Sequence, residues 1–129
     1  MKALKNQKGQ AMVEFALILP ILLLLVMGIA EFGMMFNTYL SVQNATREGA
    51  RIGIVGATDE EMEERIFSTS PSLREERMAI TIEPNSSIRT SGETLRVLVD
   101  YDYQMTVPFI GILFGGSVNL SGESSMRIE

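Results

Sequence analysis

The chain contains no cysteine and no histidine in 129 residues. The first absence removes disulfides, thiol chemistry and cysteine-type zinc sites together. The second removes the usual general acid/base and the commonest metal-ligating side chain. Lysine is scarce as well: Lys2, Lys5 and Lys8 stand at the start and none follows. From Glu31 onward 15 acidic residues face 8 arginines, a net charge of −7, against −5 for the whole chain. Phosphate backbones reward clustered Lys and Arg, so an acidic body of this kind argues against nucleic acid as a partner. No nucleophile–base pair or metal constellation stands at a recognisable spacing, so the chain reads as no enzyme, with no cofactor and no small-molecule substrate. Asp100 and Asp102 share one strand face, but two carboxylates fall well short of the roughly six to eight oxygens that calcium takes. The length suits one small domain and one anchor.

What is present falls into zones. Residues 1–9 form a short basic leader. Residues 10–36 are nearly all apolar, interrupted by the carboxylates Glu14 and Glu31. The uninterrupted core, Phe15 to Ala30, has 16 residues, or roughly 24 Å of helix. Extended back to Ala11 and forward to Phe36, the segment is long enough for a hydrocarbon slab of about 30 Å. Three lysines before the span and none soon after it put the N-terminus in the cytoplasm, which leaves residues 37–129 as an exported domain. Pro20 removes one hydrogen bond inside the span. It reads either as a point where the helix loosens or as a proline that a membrane helix tolerates.

Beyond the span the helical pattern continues to about Val55, with Tyr39, Val42, Ala45, Gly49, Ile52 and Gly56 on one face. Ala45, Gly49 and Gly53 recur every four residues, a small-residue groove that admits a sheet or another helix at close range. Glu48 and Arg51, three apart, pair with each other or with the sheet. Gly56 to Thr58 reads as the stop. Thr58 with Glu61 three residues on is a capping box, which opens a short acidic helix to about Phe67 whose Asp59–Arg65 run is a solvated face. Ser68 to Ser72 reads as a loop.

The remainder reads as strands. Residues 78–83 alternate and stop at Pro84-Asn85. Leu95, Val97, Val99, Tyr101 and Tyr103 alternate with polar residues. Asn85 to Glu93 is the hairpin loop between the two. A last strand covers Ser117 to Ile128, weakened in the middle by Gly122. Phe109 to Phe114 is apolar but too short to span a membrane; it is either a connection tucked under the sheet or a segment at the membrane surface. The fold class is α+β, a long N-terminal transmembrane helix continuing into a small exported domain with an antiparallel sheet.

The leader and the start of the span carry the functional signal. Gly9 ends the leader, Gln10 follows, and Glu14 and Phe15 stand fifth and sixth in the segment that Gln10 opens. This pattern resembles the processing site of type IV prepilins, which a prepilin peptidase cuts after the glycine. The resemblance extends to Arg51 through Gln10-Ala11-Met12-Val13-Glu14-Phe15-Ala16, Leu19-Pro20, Glu31-Phe32-Gly33 and Ala45-Thr46-Arg47-Glu48-Gly49-Ala50-Arg51. Over that stretch the chain resembles the TadE-like family, pseudopilins of the tight-adherence (Tad, type IVb) pilus system. Met126-Arg127-Ile128-Glu129 is similar to that family too.

The resemblance implies a pilin-like fold, cleavage between Gly9 and Gln10, and partners among other pilins or pseudopilins and the pilus assembly platform of a bacterial inner membrane. The major pilin of such systems is much shorter, which implies a minor component. The resemblance further implies that Glu14 meets the N-terminal amine of a neighbouring subunit, with Phe15 beside it. At about 4 Å and an effective dielectric near 20 that pair gains roughly 4 kcal/mol before desolvation. Two other readings compete. In one the span is an uncut anchor for an extracytoplasmic binding or adhesion domain. In the other Gly28-Ile29-Ala30 is a signal-peptidase site, and a soluble domain starts at Glu31.

Overall fold

The computed structural model describes the chain from Lys2 to Glu129, with side chains from Gln7 onward. The side chains of Lys2 and Lys5, two of the three leader charges, lie outside the described residues. One helix, α1 (Lys2–Gly53), takes up 52 residues, roughly 78 Å at 1.5 Å per residue. It runs without a break through Gly9 and Pro20. Residues 2–9, read from the sequence as a leader, are therefore the first turns of the same rod. The helix ends two residues short of the Val55 expected from the pattern, in a turn over residues 54–56 where Gly56 has φ +104°.

Six further elements complete the fold: α2 (Asp59–Thr69), a single 3-10 turn (Glu75–Arg77), β1 (Met78–Glu83), β2 (Thr94–Gln104), α3 (Ile110–Phe114) and β3 (Ser117–Arg127). The α+β architecture expected from the sequence is present: a long apolar helix followed by a three-stranded antiparallel sheet in the order β1-β2-β3. Both β1 and β2 stand within a residue of where the alternation put them. The register pairs Ile80 with Val99 and Val99 with Gly122. It turns Leu95, Val97, Val99, Tyr101 and Tyr103 toward α1, where they meet Val42, Ala45 and Ala50 in the core.

The capping box at Thr58 and Glu61 is formed in both directions: Glu61 N–H donates to Thr58 Oγ1 (3.3 Å), and Thr58 N–H donates to the Glu61 carboxylate (2.8 Å). α2 overruns the expected Phe67 to reach Thr69. The hydroxyls of Ser68, Thr69 and Ser70 donate back to the carbonyls of Arg65 and Ile66, so residues that read as loop formers finish the helix instead. Nor is Asp59 to Arg65 uniformly solvated. Met62 is buried, and Asp59 is ion-paired to Arg89, whose side chain is only 6% exposed. Arg89 also donates to the carbonyls of Ala57 (2.8 Å) and Pro84 (3.2 Å), which fastens the β1–β2 loop to the start of α2.

Close approach explains three small residues of the domain. A Cβ on Gly49 would stand 2.6 Å from Ile66, and one on Gly53 would stand 2.6 Å from Leu95 and Met62. Ala45 is wholly buried on the same face. At Gly122 the close neighbours include backbone. A Cβ there would lie 2.7 Å from Thr46 Oγ1 and 3.2 Å from the Val42 carbonyl oxygen. The glycine that looks like a weak point in β3 is where the strand presses against the helix backbone. The Thr46 hydroxyl donates to that same Val42 carbonyl at 2.7 Å, which leaves little freedom to retreat.

Outside the core, the Glu48 carboxylate takes Arg51 at 2.6 Å and Arg65 at 2.8 Å, tying α1 to α2. These hydrogen bonds, Arg51 first, hold the Glu48 carboxyl down at about 2. At the far end the Glu129 N–H donates to the Ile54 carbonyl (3.1 Å), and Ile128 is buried against the core.

Two outcomes are expected. Gly122→Ala lowers unfolding stability by about 1–3 kcal/mol, because a backbone carbonyl cannot move aside as a side-chain tip can; denaturant unfolding of the full chain in detergent measures it. A carboxylate with a depressed folded value stabilises above its unfolded value, here 4.5, and loses that contribution as pH falls toward about 2. Wild type should therefore shed stability across that acid window, and Glu48→Gln should show a flatter midpoint-against-pH profile there.

Candidate functional site

The lower half of α1 stands largely clear of the domain among the described residues. From Met12 to Val26 its large apolar side chains are exposed, and an 18-residue window of the helix has a mean hydropathy of 2.6. By length and composition this helix can cross a membrane. In water such a surface would be a large uncovered apolar patch, which folded soluble domains avoid.

Gly9, Gln10, Glu14 and Phe15 stand together on this uncovered part. Gly9 has open space where a Cβ would be, and Gln10, Glu14 and Phe15 are all exposed. The Gln10 amide donates to the Glu14 carboxylate across one helical turn, at 3.3 Å. Pro20 follows, inside the continuous helix. Ala45, Gly49 and Gly53 belong to a different region. They face α2 and the sheet at the other end of the rod, on the order of 60 Å from Gly9 by helical rise. The structure thus keeps Gly9, Gln10, Glu14 and Phe15 together near one end of the rod and apart from the small-residue face.

Between the two regions lies a residue that sequence reasoning took only as an acid near the end of the span. Glu31 is 3% exposed. Its carboxylate accepts from the Tyr103 hydroxyl at 2.6 Å, the Val107 N–H at 2.7 Å and the Thr106 N–H at 3.2 Å. Three donors reaching one carboxylate offset the cost of burying it. They join α1 to the end of β2 and to the loop that leads into α3. Burial, and next the bond to Glu31, push the Tyr103 phenol up to about 12. The signal for this cluster was in the sequence: a carboxylate set in a long apolar run demands partners. What the run could not show was which residues, 72 to 76 positions away, supply them.

The same geometry bears on Gly28-Ile29-Ala30. Those residues lie inside α1, continuous with Glu31 and its ties to the sheet. Elsewhere, Asp100 accepts from the Ser121 hydroxyl, and Asp102 accepts from the Gln104 amide at 2.8 Å. Among the described residues no group of three or more Asp or Glu is placed to hold a metal ion.

Glu31→Ala should loosen the junction more than Tyr103→Phe does. The first strands one hydroxyl and two backbone N–H groups, a loss of about 3 kcal/mol or more; the second removes one charged hydrogen bond, about 1.5–3 kcal/mol. Hydrogen exchange at the Thr106 and Val107 amides should rise in Glu31→Ala. A phenol with a raised folded value stabilises below its unfolded value, here 10, and loses that contribution as pH rises through about 12. The alkaline fall in the unfolding midpoint should therefore be shallower in Tyr103→Phe.

No curated protein and no solved structure matches the chain. The model of one family, described as TadE-like protein, matches residues 9–51. The match starts at Gly9 and takes in Gln10, Glu14, Phe15, Pro20, Glu31, Ala45 and Gly49. It is the TadE-like family that this helix is similar to, over the segment where the sequence resembles it.

Proposed function

We propose that the chain is a minor pilin, pseudopilin or assembly factor of a Tad-type pilus, inserted with its N-terminus in the cytoplasm and cut after Gly9 by a prepilin peptidase. One observation carries this reading most: the lower half of α1 is apolar and uncovered, yet it holds a carboxylate, Glu14, whose hydrogen-bond partner within the described chain is the Gln10 side chain. A carboxylate inside an apolar span is costly and is usually paired or functional. A subunit in a bundle of such helices gains an ion pair once its neighbour's leader is removed and a Gln10 amine becomes available. The TadE-like match over residues 9–51 supports the same reading.

In this scheme the chain carries out no chemistry of its own. The peptidase cuts, an assembly platform supplies work, and the partners are other pilins or pseudopilins. The upper domain stands outside the inner membrane, clear of the processed end. Pro20 gives the packed helix a place to yield, and Glu14 sets the axial register between neighbours, with Phe15 packing beside it.

The decisive measurement is intact mass and N-terminal sequence of the chain from membranes of its native host. A start at Gln10 is the expected result. A start at Met1 would mean an uncut anchor for a binding or adhesion domain, and a start at Glu31 would mean a signal peptide; either sinks the pilus reading. In Glu14→Ala, cleavage should persist while recovery in sheared surface filaments falls by about tenfold or more, the loss expected when some 1.4 kcal/mol or more of pairing survives desolvation.

A further inference from the structure

The short helix α3 turns its apolar side chains away from the domain. Phe109, Ile112, Leu113 and Phe114 are 60%, 83%, 67% and 66% exposed. Ile110 alone is buried, with Cδ1 4.0 Å from where a Cβ on Gly28 would stand. Four large apolar side chains within six residues, all turned outward, form a patch that needs a cover. The patch adjoins the bare face of α1, and an apolar groove lined by Phe32, Met35, Met105, Ile110, Phe114 and Val118 joins the two.

Height along α1 says what the cover is. Counting from Ala11, about 20 residues at 1.5 Å each cross a hydrocarbon slab of about 30 Å, which brings the outer boundary to the level of Glu31. At that level Glu31 is bonded to the N–H groups of Thr106 and Val107, which lead directly into α3. The domain cannot lift α3 off the boundary without breaking those bonds. No charged residue occurs from Met105 to Gly122, so no charge in this segment opposes entry into lipid.

We propose that residues Phe109 to Phe114 form a second lipid contact, a short paddle that enters the acyl–headgroup boundary of the leaflet facing the exported domain, beside the spanning helix. The inference rests on α1 crossing a membrane and is independent of whether the leader is cut. Two contacts at one level, the rod and the paddle, fix the tilt and rotation of the sheet domain over the bilayer, where a single rod would leave it free to swing. Because the paddle is uncharged, the contact needs no anionic headgroup.

The chain has no cysteine and no tryptophan, so single introduced probes report without background. The full chain is reconstituted in vesicles of phosphatidylcholine with phosphatidylglycerol, spin-labelled at Ile112→Cys, Leu22→Cys or Ile88→Cys, and exposed to oxygen or to a water-soluble nickel chelate. Ile88 is an exposed residue of the β1–β2 loop, at the end of the domain where α1 stops. The oxygen-to-nickel collision ratio should be several-fold higher for Leu22→Cys and Ile112→Cys than for Ile88→Cys, and unchanged in pure phosphatidylcholine. If Ile112→Cys is as open to nickel as Ile88→Cys while Leu22→Cys stays shielded, the paddle is overturned and the span stands. If Leu22→Cys is open as well, the span fails and takes the paddle with it. Phe114→Trp gives an independent reading: lipids brominated high on the acyl chain should quench its fluorescence, and absence of quenching in the folded protein overturns the proposal.

Discussion

A carboxylate placed where a helix leaves its apolar stretch must either reach water or be given hydrogen-bond donors. Glu31 takes the second course, and much of the rest of the structure depends on it. Its ties to Tyr103, Thr106 and Val107 fix the end of β2 against α1, and β2 is the central strand on which both β1 and β3 pair. With that end fixed, the register of the sheet against the helix follows, because a slip of one residue would turn Leu95, Val97 and Val99 outward. The sheet is held to the helix at three heights: at Glu31 by charge, at Gly122 by contact and at Ile54 by the last backbone hydrogen bond.

Charge and contact do different work here. The Glu31 cluster is directional and tolerates little displacement, so it sets position. The small-residue face contributes area. Where Gly49 and Gly53 stand, the side chains of Ile66, Met62 and Leu95 come down onto the helix itself. That allows a domain of about 90 residues to bury a core with only three strands and one short helix against a single rod. The Glu48–Arg65 pair then ties α1 to α2, and the Arg89–Asp59 pair ties the β1–β2 loop to the start of α2.

What could be read from the sequence was whatever repeats locally. Alternation from Leu95 to Tyr103, the 78–83 run and the Thr58–Glu61 box all express periods of two or spacings of three, and each is found at its place. What could not be read lies between residues distant in the chain. Arg89 finds Asp59 across 30 positions and Glu31 finds Tyr103 across 72; neither spacing carries a pattern. Gly122 shows how the two kinds of information collide. Within β3 a glycine looks like a defect, and only the approach of Val42 and Thr46 from another element makes it a requirement. The hydroxyl run after Phe67 failed for a related reason: Ser and Thr favour loops by bonding to nearby backbone, and here the nearby backbone was the helix they extend.

One helix with two halves also explains why the family likeness covers residues 9–51 and stops. The lower half has to satisfy a surrounding that this chain does not supply, so its constraints are general: an apolar surface, a carboxylate at a set place and a helix that continues. The part from Glu31 to Arg51 offers a buried acid and small residues at fixed turns, to which the sheet and α2 are fitted. Past Gly53 the constraints become mutual. Ile66 need only fit Gly49, Leu95 need only fit Gly53, and each can change if its partner does. A sheet domain held to a rod by such pairs can change pair by pair, whereas the exposed lower face of the rod has no packing partner among the described residues to change with it.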